Sequence, residues 1–254
     1  MARWVEVLNA FVQKDSWGVR ELATATGLPR SATHRILHEM RRLGLLTADD
    51  GKGVFQVGPV LARTAVVVSK RLDITRVGRP VLESVAERTS ETVILGLYAP
   101  TRKQVFGVDA VESPHFVRVI WQAVPPWRDL HVGATGKGIL AFLPAEEREA
   151  VLAKLPDPIP LAHDVPKSEL RQQIEDAQRA GYVVSRGESN PGAVAVASPI
   201  RDAHGDLVAD IVISWPDNRT SLEREREFGE IAREAAGEIS RQLGHAPQPA
   251  PTSA

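Results

Sequence analysis

Six residues between Arg30 and Arg41 have the types and spacing to meet nucleic acid. Arg30, Ser31, His34, Arg35, His38 and Arg41 fall on one side of a helical wheel, opposite Ala32, Ile36, Met40 and Leu43. Such a helix packs its apolar side on a partner and offers guanidinium and hydroxyl donors to a major groove. Solvated basic faces are also common, so the charges alone leave an ordinary surface helix equally open. Other constellations carry less. Gly133-Ala-Thr-Gly-Lys-Gly138 approaches a phosphate loop, but His131 and Gly138 depart from the glycine and the Ser or Thr that pattern requires. Gly187-Glu-Ser-Asn-Pro191 approaches a nucleophile elbow, yet Pro191 replaces the final glycine. His34 and His38, four apart, could share a metal, but no further ligand is near them in sequence. The chain has no cysteine, which removes disulfides, thiolate nucleophiles and Cys-based metal sites. No catalytic residue, metal site or cofactor is therefore expected.

The elements around the basic helix decide between the two readings. Trp4, Val7, Leu8 and Phe11 form the apolar stripe of a first helix. After a turn at Lys14–Gly18, Leu22, Ala23 and Thr26 line a short second helix that ends at Gly27. Pro29 then stands where a helix accepts proline, in its first turn, and Gly44 closes the third helix. Leu45-Leu46-Thr47 and Val54-Phe55-Gln56-Val57 flank an Asp-Gly turn, which reads as a hairpin, or wing. Three helices and a wing over residues 1–58 favour a winged helix-turn-helix. Arg20, Arg30, Ser31, Thr33, His34, Arg35, His38 and the wing's Lys52 are its candidate DNA contacts.

Residues 59–72 read as a linker helix. A further helix over Asp73–Thr89 is expected, with an interruption near Gly78-Arg79-Pro80. Strands are predicted at Val93–Tyr98, Gln104–Val111, Phe116–Ile120, Tyr182–Ser185, Ala193–Ile200 and Leu207–Ser214. Helices are predicted at Ala134–Phe142, Glu146–Lys154, Ser168–Ala180 and Ser221–Gln242. A hairpin turn through Asp202–Asp206 makes the last two strands antiparallel. The class is α+β, with a second domain over residues 73–244 and a disordered, proline-containing tail over 245–254.

Charge is divided unevenly. Residues 1–63 carry nine Lys/Arg against six Asp/Glu, and the remainder 22 against 26, within a net charge of −1. Only the small basic part suits an anionic partner. With no apolar run of about 18 residues and no signal-peptide layout after Met1-Ala-Arg-Trp4, a cytoplasmic protein without membrane contact is expected.

Three stretches resemble the IclR family of bacterial regulators. Gly27-Leu-Pro-Arg-Ser-Ala-Thr-His-Arg-Ile-Leu-His-Glu-Met-Arg-Arg-Leu-Gly44 is similar to its recognition-helix segment. Leu130-His-Val-Gly-Ala-Thr-Gly-Lys-Gly-Ile-Leu-Ala-Phe-Leu143 resembles its "LHatalGKALLAfL" block. Gly181-Tyr-Val-Val-Ser-Arg-Gly-Glu-Ser-Asn-Pro-Gly192, continuing through Ala197-Ser-Pro-Ile200 to Gly205, resembles its "GYavsrgE…pGv…iaaPi…G" block. Order and spacing agree from Arg3 to about Leu243. The resemblance implies a winged helix-turn-helix, a linker helix and a profilin/GAF-like effector-binding domain, in homodimers or homotetramers on palindromic double-stranded operators. It places effector positions at Val117, Ala134, Thr135, Ser185, Ala195, Val212 and Ser214. Glu188 matches a frequent acidic residue of the family, with a turn-stabilising role equally open. Ala195 and Val212 are apolar here, and Trp121 and Trp127 could wall a pocket for an aromatic or larger organic acid. The function implied is a repressor whose operator binding is modulated by such a metabolite. The alternatives are an activator of the same family, or a ligand-binding enzyme domain fused to a winged helix.

Overall fold

The structure, a computed structural model, describes residues 2–49, 51–71, 73–120, 127–161 and 163–246. It divides into two compact units, Met1–Leu72 and Asp73–Ala254. Trp121 and most of the predicted tail lie outside the described residues.

In the first unit, α1 (Ala2–Gln13), α2 (Val19–Thr26) and α3 (Arg30–Arg42) precede a hairpin of β2 (Leu46–Asp49) and β3 (Val54–Val57). Val7, Ala10 and Phe11 of α1 meet Leu22 of α2 and Ile36, Leu37 and Met40 of α3 in one core that Phe55 closes from the wing. A short strand, β1 (Ser16–Gly18), pairs with β3 where the sequence suggests only a turn. Three residues are too few to show a period of two. Trp17 fixes it by burying its ring and donating its indole N–H to the Ala10 carbonyl at 2.9 Å. Gly27 adopts φ +67° and ends α2, so the chain can reverse into Pro29 and begin α3. In the wing turn, the Asp49 carboxylate accepts from the Gly51 and Lys52 amides at 3.1 and 3.2 Å. The linker helix α4 (Pro59–Arg71) belongs to this unit.

The inward face of α3 differs from the sequence expectation. Thr33, Ile36, Leu37 and Met40 are buried, whereas Leu43 is 45% exposed. Thr33, expected among the DNA contacts, has no exposed surface, and its hydroxyl donates to the Pro29 carbonyl at 3.2 Å. A threonine satisfied by its own helix can occupy a core site, so polarity misplaced it.

The second unit is one antiparallel sheet of six strands in the order β6-β5-β4-β9-β8-β7. These strands are β4 (Thr92–Ala99), β5 (Gln104–Val111), β6 (Arg128–Asp129), β7 (Val183–Arg186), β8 (Ala193–Arg201) and β9 (Leu207–Pro216). The helices α5 (Asp73–Thr89) and α9 (Leu222–Gln242) pack on each other and on the sheet. Three more, α6 (Gly133–Leu140), α7 (Ala145–Ala153) and α8 (Lys167–Ala180), contribute to a second core with Tyr98, Val105, Ala197 and Val212.

Two expectations are corrected here. The α5 helix runs unbroken through Pro80. Arg76 and Pro80 are both exposed, so the carbonyl that proline leaves without a donor faces water. Phe116–Ile120 is not a strand. Phe116 is 97% exposed, and the carbonyls of Val117 and Val119 accept from the Arg219 guanidinium and the Thr92 hydroxyl rather than from a neighbouring strand. The place beside β5 is taken by β6, which pairs Arg128 with Val105 and Asp129 with Gln104.

Candidate functional site

The outer face of α3 is a continuous polar surface. Arg30, Ser31, His34, Arg35, His38 and Arg41 are all exposed. The His34 and His38 rings stack with centroids 4.2 Å apart, and His38 meets Phe55 edge-on at 5.4 Å, which ties this face to the wing. Arg42, by contrast, pairs with Glu39 through its Nη2 at 2.6 Å and is turned to another side. Arg20, at the start of α2, and Lys52, in the wing turn, are also exposed, with Lys52 Nζ 3.7 Å from Asp49. Proline before α3 and the buried Thr33–Ile36–Leu37–Met40 side fix the helix rotation that presents these groups outward.

In the second unit the predicted effector positions fall into three environments. Val117 and Thr135 line a cavity of about 450 Å³, whose walls include Ile94, Val105, Phe106, Gly107, Ala193 and Pro216. Ser185, Ala195 and Ser214 sit side by side across β7, β8 and β9, and Val212 pairs with Ala197 in the next row. All are on the sheet face toward α6, but they are packed under it instead of lining the cavity; Ala134, in α6 itself, is buried in the same core. Val212 is core, and the Ser214 hydroxyl donates to the Val194 carbonyl at 3.3 Å. The cavity floor begins one row further on, at the Ala193–Pro216 pair. Glu188 lies apart, along a second cavity of about 520 Å³ beside α8 and β7.

The short α6 is buried almost all round and carries a buried cation. Lys137 is 1% exposed, and its ammonium donates to Glu188, to the Gln173 side chain at 2.8 Å and to the Val184 carbonyl at 3.3 Å. Burial pushes the Lys137 ammonium below its ordinary pKa, and the adjacent Glu188 carboxylate opposes that shift. Glu188 is thus a structural counter-ion, and its second oxygen is buried with no partner among the described residues. Beneath α6, Asp210 of β9 is completely buried and neither carboxyl oxygen has a hydrogen-bond donor among the described residues. A Cβ on Gly96 would stand 2.1 Å from one of its oxygens, so only glycine leaves the carboxyl its place. Burial holds this carboxyl well above the usual carboxylate range.

Sequence reasoning missed Arg128. It lines the 450 Å³ cavity with Phe106 and Asn190, and it comes from a strand of two residues that no periodicity can announce. Trp127 beside it packs on Phe106 with centroids 4.5 Å apart and lies under the Arg102 guanidinium at 4.6 Å.

Comparison with known proteins agrees with both units. Residues 1–50 match the IclR helix-turn-helix domain, and residues 66–241 match the family described as bacterial transcriptional regulator IclR, C-terminal. The chain is 30% identical over 241 residues to the HTH-type transcriptional regulator KipR of Bacillus subtilis (strain 168), covering 94% of each protein. It is 26% identical over 257 residues to the transcriptional repressor IclR of Escherichia coli (strain K12), covering 96% of this chain and 87% of that one. A solved structure of an IclR homolog complexed with 4-hydroxybenzoate, from Microbacterium hydrocarbonoxydans, superposes with a TM-score of 0.78 at 29% identity, over 95% of this chain and 98% of that one.

Proposed function

The chain belongs to the IclR family of DNA-binding transcriptional regulators, and we propose that it acts as a repressor whose hold on an operator changes when a small organic acid or aromatic metabolite binds beside α6. The observation that carries the DNA half is the outer face of α3, where Arg30, Ser31, His34, Arg35 and His38 are exposed together above a helix otherwise locked into its core. Arg20 and Lys52 flank it. Repressor names among its relatives support the sign of regulation, and the relative bound to 4-hydroxybenzoate supports an aromatic acid as effector.

A homodimer or homotetramer on a palindromic operator follows from the physics of reading two half-sites about one helical turn apart. No described helix is long and apolar enough to cross a membrane, which accords with a cytoplasmic regulator. The effector must favour one arrangement of the protein over another, with a coupling of about 1–3 kcal/mol typical of such systems. The α4 helix, which connects the sequence of one unit to the other, is the proposed carrier of that coupling.

The test is binding of the full chain to DNA upstream of its own gene, with excess nonspecific competitor and a salt series. Tight, salt-sensitive binding is expected, weakened about tenfold or more in Arg35→Ala, as loss of a base or phosphate contact predicts. No preference for that DNA, or for any sequence selected from a random pool, would overturn the reading.

A further inference from the structure

Where α8 runs beside β7, the edge strand of the sheet, lies the cavity of about 520 Å³. It shares no lining residue with the cavity of about 450 Å³. Its two lysine or arginine cations are already engaged. The Lys137 ammonium has three N–H donors, and Glu188, the Gln173 side chain and the Val184 carbonyl take one each. Arg186 donates through Nε at 2.7 Å, and again through Nη2, to the two oxygens of Glu225. The acceptors are less complete. One Glu188 oxygen meets Lys137, but the other has no donor among the described residues, although the side chain is only 7% exposed. A buried acceptor in that state is destabilising until a donor reaches it. Glu169 of α8 accepts from the Gln173 amide at 3.1 Å and has no ion-pair partner among the described residues. Its charge reaches the Lys137 ammonium. Asp176, on the same helix, is matched by Arg179. With Lys137 against Glu188 and Arg186 against Glu225, Glu169 leaves the wall one negative charge in excess.

We infer that this cavity is a second binding site, for a small organic cation whose ammonium or guanidinium N–H groups donate to the free oxygen of Glu188 and to Glu169. Charge-assisted N–H donors supply both what the buried oxygen lacks and the charge that Glu169 leaves unbalanced. Ala177, Ala180 and Val183 line the same wall with the Tyr182 ring, a surface suited to a short carbon chain. At about 520 Å³ the cavity lies within the range that holds a single small ligand. A metal ion would need a ligand set that is missing here. Among the described residues no three His, Cys, Asp or Glu are grouped to hold one. An anion would meet the Glu169 carboxylate and no unengaged lysine or arginine on the wall.

The experiment is calorimetric titration of the full chain, without DNA, with agmatine, putrescine and n-butylamine, and with 1,4-butanediol as the neutral counterpart. Salt at about 0.15 M screens general attraction to an acidic surface. At least one amine is expected to saturate one site per chain and to bind about tenfold or more tightly than the diol, the least that one charge-assisted contact contributes. Glu188→Gln keeps an acceptor for Lys137 but presents an amide NH2 in place of the free oxygen. That amine should weaken about 30-fold or more in it, as for a desolvated contact that loses one partner. Glu169→Gln removes an exposed charge and should weaken it about two- to fivefold. No saturable binding of any amine, equal binding of amine and diol, or undiminished affinity in Glu188→Gln would overturn the inference. Heat that never saturates and persists in Glu188→Gln is surface attraction, and it overturns the inference too. If Glu188→Gln does not fold, Glu169→Gln decides together with the wild-type preference for amine over diol. Loss of affinity with that preference intact supports the site, and unchanged affinity defeats it.

Discussion

The helices α3 and α6 each carry basic residues and meet the rest of the protein in opposite ways. On α3 one side is core and the other is free surface, so Arg35 takes no part in holding the fold. On α6 nearly every residue from Gly133 to Leu140 is buried, and its lysine is a structural cation surrounded by acceptors. The difference separates two ways of building a binding surface. The face of α3 can change its chemistry with little consequence for stability. Around α6, any change in what is recognised is also a change in packing.

The largest effect that could break this contrast is at Lys137. Lys137→Ala strands the Glu188 carboxylate in the interior and should destabilise the second unit by about 3–5 kcal/mol, the range for breaking a buried ion pair from one side. Arg35→Ala should alter stability by no more than about 0.5 kcal/mol, as for surface positions generally. Urea denaturation of the full chain, following the transition of each unit, compares them. A similar midpoint for both variants would mean that α6 is not the buried element described.

An intermediate effect concerns Asp210. Its folded pKa lies well above 3.8, so above that pH the unfolded chain binds fewer protons than the folded one. Stability from this group is therefore fully present below pH 3.8 and declines as pH rises toward the folded value. The slope is at most about 1.4 kcal/mol per pH unit for one proton. Asp210→Asn should remove that slope from the second unit. Denaturation series between about pH 4 and pH 8 measure it, and identical slopes in the two proteins would place the carboxyl in contact with solvent.

The smallest effect sharpens the description of α3. Thr33→Val replaces an inward hydroxyl with a methyl of nearly the same size. Operator affinity should be unchanged and stability altered by less than about 1.5 kcal/mol, the net contribution of one neutral hydrogen bond. A marked loss of DNA binding without loss of stability would turn Thr33 outward again.

These contrasts also explain what the sequence reveals. The helix-turn-helix is legible because helical period, Gly27, Pro29 and the Asp-Gly wing are local signals that agree. The rotation of α3 differs from the expected one by a fraction of a turn, because Thr33 buries its hydroxyl against its own helix and Leu43 lies past the helix end. In the second unit, Gln104–Val111 has the predicted limits, and its ladder with β4 runs from one end to the other. Phe116–Ile120 has strand composition but no partner ladder, and its carbonyls are held by side chains more than 25 positions away in sequence. The cavity was legible only at Val117 and Thr135. The family positions on the strands fall on the sheet face toward α6, yet how closely α6 settles on that face depends on Gly96 and Gly138, which act only in three dimensions. Arg128 had no signal at all.

The Gly96–Asp210 contact also couples what each of the two positions can hold. A side chain at position 96 is excluded by the carboxyl 2.1 Å from where its Cβ would be, whereas losing the carboxyl first removes that contact and leaves the Thr135 methyl, at 3.0 Å, as the nearest neighbour. The order of the two substitutions therefore matters: removing the acid before adding a side chain at position 96 avoids the 2.1 Å clash that the opposite order meets.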